Sequence, residues 1–178
     1  MGNKLIEILS SLTTSSYKVT PDITLLDFTV VNACLVGNHD SQWVLIDTGL
    51  ENSADYIIQT AEKHFGQNTR PEAILLTHGH FDHVGSVKKL CRFWDVPVYI
   101  HQAEIPYVTG QRDYPSGDPT VDEGLVAKLS PALPHSSIDI GFHIIALPPD
   151  GNIPFMSGWK WIHTPGHTEG HISLFREE

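Results

Sequence analysis

The stretch Leu75–Ser86, LLTHGHFDHVGS, constrains this chain more than any other. Between His78 and His83 it places three histidines and an aspartate, directly after one apolar run and directly before another. The first run, Ala73–Leu76, is short and continuous and reads as a buried strand. The second, with apolar residues at Val84, Val87, Leu90, Cys91 and Trp94, falls on one stripe of a helix. Side chains two apart at the end of a strand point the same way, so His78 and His80 leave together. Asp82 and His83 then sit at the helix start. A tight turn of this kind brings four potential metal ligands to one small volume. The other common zinc arrangement, a helical HExxH, is absent from the sequence.

The elements on either side alternate regularly. Ile23–Thr29, Ala33–Val36 and Trp43–Asp47 read as strands of an antiparallel sheet, the last two around the turn GNHDSQ. Ser53 stands where an N-cap would, apolar residues recur at Ala54, Ile57, Ile58, Ala61 and Phe65, and Gly66 stops the pattern, which predicts a helix. Val98–Ile100 reads as a strand, 107–119 as an irregular Pro- and Gly-rich region, and 121–129 as a short helix. Phe142–Leu147, Trp159–Thr164 and Ile172–Phe175 read as the last strands. No internal repeat or low-complexity linker interrupts the 178 residues, so the expectation is one domain over 1–178.

Composition narrows the function. With 40% hydrophobic and 18% charged residues, the chain can bury a core of ordinary size. A formal charge of −10 and no basic run argue against nucleic acid as a partner. The opening MGNKLIEILSSL is broken by Asn3, Lys4 and Glu7, unlike a secretory signal, and Ile6 stands where a myristoylation motif needs Ser or Thr. No apolar run reaches the ~18 residues of a membrane span. Cys34 and Cys91 lie far apart in apolar surroundings, as free thiols of a reducing compartment do, and the expected location is cytoplasmic.

THGHFDHVGS resembles the first metal motif of the metallo-β-lactamase superfamily, H-x-H-x-D-H. VLIDTGL, Val44–Leu50, is similar to that family's strand ending in Asp-x-Gly. WKWIHTPGHTEGHISLF, Trp159–Phe175, resembles its second motif, in which the histidine after T-P-G is a ligand. The three occur in the family's order and cover most of the chain from about Ile23 onward. The resemblance implies an α+β fold, a four-layer αββα sandwich of two similar halves with metals at the edge between the sheets. It implies that His78, His80 and His167 hold one zinc and leave a position for water or hydroxide. Asp82 and His83 would belong to a second metal, with Asp82 also the catalytic residue that orients the hydroxide. Asp47 would be a structural carboxylate bonded to the metal-site loops. Iron or manganese also suits imidazole and carboxylate ligands.

The activity so implied is a metal-dependent hydrolase of a small molecule, cleaving an ester, thioester, lactone or related bond with metal-bound hydroxide. Thioesterases of the glyoxalase II type, lactonases and β-lactamase-like enzymes share the first motif. Two alternatives stand beside it: an oxidoreductase with a single iron, like the persulfide dioxygenases of the same scaffold, and a non-catalytic metal-binding fragment.

The remaining histidines carry less. His163, His167 and His171 recur every four residues, but Pro165 and Gly166 interrupt any helix there, and His163 and His171 are expected to pack or support. His39, His64, His101, His135 and His143 have no informative spacing. Tyr107, Arg112 and Tyr114 are candidates for a pocket wall. The chain departs from the family pattern after His167. Eleven residues follow it, none an aspartate, and Glu169, Glu177 and Glu178 do not reproduce a bridging Asp and a final His. The expectation is an incomplete second half and at most one zinc here against about two in a complete domain. An uncovered sheet face would also favour a homo-oligomer.

Overall fold

The computed structural model describes residues 14–38, 42–120, 128, 130–141 and 143–176. Among the described residues, seven strands form one sheet in sequence order: β1 (Ser15–Thr20), β2 (Ile23–Asp27), β3 (Asn32–Val36), β4 (Val44–Ile46), β5 (Ala73–Leu75), β6 (Val98–Ile100) and β7 (Ile144–Ala146). The pairs from β1 to β4 are antiparallel, and those from β4 to β7 are parallel. A separate antiparallel hairpin is made by β8 (Trp159–His163) and β9 (Ile172–Arg176). Helices among the described residues include α1 (Ala54–Phe65), α2 (Phe81–Val84), α3 (Val87–Trp94) and α4 (Ile105–Val108), the last entered through a 3₁₀ turn, Gln102–Glu104.

Each layer follows from local sequence. Strands β4 and β5 are three-residue runs buried on both faces, as parallel strands inside a layered fold must be. Helix α1 turns Ala54, Ile57 and Ala61 inward, places Asp55 in its first turn and Lys63 and His64 in its last, and ends at Gly66 with φ 102°. Ser53 is its N-cap residue, although its side chain makes no capping bond. The buried residues of α1, α2 and α3 share one cluster with Leu26, Leu35, Leu45 and Ile74 on one face of the sheet. On the other face Val36, Val44, Ile46 and Leu75 pack against Trp161 and Ile172 of the hairpin and against Leu147, Ile153 and Met156. The order of layers is therefore helices, large sheet, hairpin. On the hairpin's outer side Ile162 and Phe175 are exposed.

Several expectations need correction. The stripe from Val84 to Trp94 is two helices, not one. The chain bends at Gly85 and Ser86, where the Gly85 N–H donates to the Gly49 carbonyl and the Ser86 hydroxyl donates to the Leu50 carbonyl. Strand β1 lies outside the expected set. Its residues are mostly exposed, so it has no buried alternation to reveal it. The expected strands end up to two residues from the observed limits, as at Asp27 and Ala146. The helix expected over 121–129 lies outside the described residues except for Lys128, which is helical. Among the described residues no helix is long and apolar enough to cross a membrane.

Because β4, β5 and β6 are parallel, their carboxyl ends share one edge of the sheet, and the loops that leave that edge face one another. Trp43, just before β4, clamps the helices at the opposite end. It stacks on Phe65 (4.8 Å, 11°), meets Trp94 edge-on (5.5 Å, 85°), and its indole N–H donates to the Thr69 hydroxyl at 2.8 Å. Replacing Trp43 by Ala should cost about 3–5 kcal/mol of stability, read by urea denaturation. Because the site lies at the other end, metal content should be unchanged.

Candidate metal centre

The centre is built by two loops from different layers. The first, Thr77–His80, joins β5 to α2. The second, Thr164–His171, is the turn of the hairpin. They are joined by a backbone bond from the Ile172 N–H to the Thr77 carbonyl, 3.1 Å. His78 is buried in the first loop, His80 is half-buried beside it, and His167 reaches in from the second. His80 Nδ1 lies 3.0 Å from His167 Nε2, and His167 Nε2 lies 3.2 Å from His78 Nε2. Ligand atoms of the three residues all lie within 4.8 Å of one another. A tetrahedral metal with ~2.0–2.1 Å bonds to nitrogen separates its ligands by about 3.3 Å, so this donor set fits such an ion.

The protonation of the imidazoles follows from their neighbours. His78 Nδ1 faces the Thr77 hydroxyl at 3.0 Å, and that hydroxyl donates to Asp47 Oδ2 at 2.8 Å, so it accepts from His78. The His78 Nε2 lone pair is thereby left for the centre. Burial, reinforced by the rings of His83, His80, His167 and His171, drives the His78 pKa far below the ordinary imidazole value. Burial and His167 hold His80 down at about 4, against the opposing pull of Asp82 and Glu104. His167 is lowered by burial, then by His171 and His83. All three are therefore neutral near pH 7, the form that binds metal.

Asp82 and His83 sit beside this set without joining it. His83 Nε2 is 3.9 Å from Asp82 Oδ2, and the His83 ring is 4.1 Å from that of His78. His83 Nδ1 lies 2.8 Å from Asp47 Oδ2, which orients its Nε2 away from Asp47. Burial lowers the His83 pKa, but the Asp47 hydrogen bond and the charges of Asp47 and Asp82 outweigh it and raise the net value. Asp47 also accepts the Thr77 N–H at 2.8 Å, so it ties the start of the histidine turn to His83 at its far end. An open cleft of about 610 Å³ between the sheet and the hairpin reaches Asp47, His83 and His171, with Cys34, Trp159 and Leu174 in its walls. Burial raises the thiols of Cys34 and Cys91 to about 11, and both cysteines are free.

Residues 26–178 match the family model described as the metallo-beta-lactamase superfamily. The chain belongs to this superfamily. It is 56% identical over 136 residues to a probable metallo-hydrolase, YflN, of Bacillus subtilis (strain 168), covering 76% of this chain and 52% of that protein. A second probable metallo-hydrolase of the same organism, YybB, is 32% identical over 133 residues, covering 75% of this chain and 51% of that protein. The chain thus spans about half the length of these relatives. Among solved structures, the Rm3 metallo-beta-lactamase superposes with TM-score 0.70 at 22% identity, over 96% of this chain and 59% of that one, a likeness of fold. The α+β architecture expected from the resemblance is the one observed, with the helices on one side of the large sheet and the hairpin on the other.

Other expected residues have settled places. His163 stacks on His101 (4.4 Å, 13°), and its Nε2 meets the Glu169 carbonyl, so it packs away from the centre. His171 Nδ1 meets the Thr164 hydroxyl at 2.9 Å, within the second loop. Arg112 pairs with Glu169 at 3.3 Å and lies over the Tyr107 ring. Tyr114 stacks on Tyr107 (4.0 Å, 7°) and touches the His80 ring (4.5 Å). Sequence reasoning missed Glu104, fully buried beneath both loops. In HQAEIP it belongs to no motif and has no informative spacing.

The charge states set a pH profile. Since His78, His80 and His167 all titrate below the ordinary imidazole value, metal affinity at this trio should change little just below pH 7.5 and fall at lower pH, as first the lowered His167 value and then the His80 value near 4 are approached. A metal that engages His83 Nε2 must displace a proton favoured by Asp47 and Asp82, so its affinity should fall earlier, once pH drops through the raised His83 value. Competition against a chelator across pH separates the two; a trio whose affinity falls at higher pH than that of the His83 site would contradict the assignment.

Proposed function

We propose that this chain carries the metal-binding half of a small-molecule hydrolase acting on an ester, thioester, lactone or related bond. The observation that carries this is the convergence of the His78, His80 and His167 nitrogens at 3.0 and 3.2 Å, supported by family membership. In this reading His78, His80 and His167 hold one zinc, and Asp82 and His83 contribute to a second. A metal held by these residues would supply Lewis acidity, toward a water and toward the substrate oxygen. The protein's own part is orientation. Thr77 and Asp47 fix the ring nitrogens, and the Asp82 carboxylate accepts a hydrogen bond from the attacking water and aims it at the substrate carbon.

The remaining ligands of the second metal would approach through the cleft beside His83 and His171, which stands open among the described residues. Without them this chain should hold at most one zinc, and a complete domain about two. The complete trio beside a pair of only two ligands also favours a second reading, a mononuclear iron oxidoreductase. The acidic charge, −10, supports a reading without nucleic acid. The free, burial-shielded thiols suit the cytoplasm. Self-association of the isolated chain through the exposed Ile162 and Phe175 face completes the proposal; a monomer in sedimentation would remove that part.

Metal analysis of this chain beside a C-terminally longer version, followed by turnover of thioester, lactone and ester panels, tests the reading. Zinc with hydrolysis supports it. Iron with sulfur oxidation would replace it with the second reading, and zinc loading without turnover would leave the fragment role. Asp82→Asn should lower kcat by about 10²–10⁴-fold in the hydrolytic enzyme, with zinc at the trio retained.

A further inference from the structure

Glu104 ends the 3₁₀ turn that leaves β6 and is 0% exposed. Its Oε2 accepts the Gly79 N–H at 3.0 Å, and its Oε1 accepts the Gly170 N–H at 2.7 Å. Gly79 lies between His78 and His80, and Gly170 lies in the second loop between His167 and His171. One carboxylate therefore holds both metal-site loops, although these belong to different sheets. The Tyr114 hydroxyl completes the arrangement. It donates to Glu104 Oε2 and accepts from the Gly79 N–H at 3.0 Å.

Both glycines are required by the closeness of this approach. A Cβ on Gly170 would stand 2.6 Å from Glu104 Cγ, and one on Gly79 would stand 2.6 Å from the Tyr114 hydroxyl. Glu104 itself has little freedom, because its backbone N–H is bonded to the His101 carbonyl at 2.9 Å, at the end of a core strand.

We propose that Glu104, assisted by Tyr114, is the positioning residue of the metal centre: its two oxygens set the separation between the His78–His80 turn and the His167 loop. The proposal rests on the reading that these three histidines hold a metal. Ligand distances must be met to within about 0.2 Å, so two loops on separate layers need a rigid common support. Glu104 supplies it from a third element, without touching the metal.

The test uses cobalt(II) with the 178-residue chain, reading affinity by chelator competition, ligand geometry from the visible spectrum, and the thermal midpoint of the metal-free protein. Glu104→Gln keeps the volume, but its amide nitrogen cannot accept the second N–H, so one loop is released. The expected result is about 10- to 100-fold weaker binding with an altered cobalt spectrum. Tyr114→Phe, which leaves both carboxylate bonds to the loops, should weaken binding by about 2- to 10-fold. If Glu104→Gln fails to fold, this second variant decides. A lower midpoint with wild-type cobalt affinity and spectrum would overturn the proposal, as would unchanged binding in both variants. His167→Ala separates the two ideas. If it loses cobalt while the Glu104 and Tyr114 variants do not, only the positioning role fails. If it binds like wild type, the metal reading fails and the proposal with it.

Discussion

The Asp47 carboxylate is the interaction on which the rest of the site depends. Asp47 follows β4 with φ 58°, an uncommon conformation for a residue with a side chain, and is held there by its N–H bond to the Leu75 carbonyl. From that position it accepts three hydrogen bonds, from the Thr77 N–H, the Thr77 hydroxyl and His83 Nδ1. The first two fix the start of the histidine turn, and the third fixes the far end of the same segment. Through Thr77 the effect passes to His78. Burial of an acceptor with so many donors is favourable only when all are in place, so the turn has little freedom to adopt another shape.

The histidine turn was legible in sequence because His78 to His83 are packed into one short stretch between a buried strand and a helix. Asp47 and His167 lie far from it in the chain, and their roles were expected only from the resemblance of VLIDTGL and of the Thr-Pro-Gly-His segment to the family's motifs. Glu104 and Tyr114 were not legible as a pair. Their importance comes from pairing with backbone N–H groups 25 and 66 residues from Glu104, and backbone partners leave no trace in side-chain identity. The break between α2 and α3 was hidden for a similar reason. The apolar stripe continues across it, and the bend is set by contacts of Gly85 and Ser86 with the Gly49–Leu50 turn. The exposed β1 had no burial pattern to betray it.

Electrostatics gives the site two regions with different character. Four imidazoles, those of His78, His80, His167 and His171, lie close together, and burial with mutual repulsion keeps protons off the first three. Beside them His83 is surrounded by Asp47 and Asp82 and favours its proton. An acidic chain thus contains a small neutral basin of nitrogen lone pairs with a carboxylate-rich rim. Repulsion among the lone pairs is a cost of the metal-free fold, and any cation entering the basin relieves it.

The two loops of the centre lie on different layers, 89 residues apart between His78 and His167. Any ion shared between them closes that long stretch of chain, as a covalent cross-link would. Docking of the hairpin on the large sheet and occupancy of the centre are therefore thermodynamically linked: a bound ion would favour docking by the same free energy by which docking favours the ion. The core contacts of Trp161 and Ile172, which lie outside the chemistry, become in this sense part of the affinity of the site. If an ion binds there, a cell low in that ion would carry a population of this protein whose hairpin is less firmly seated, and metal supply would act on its lifetime.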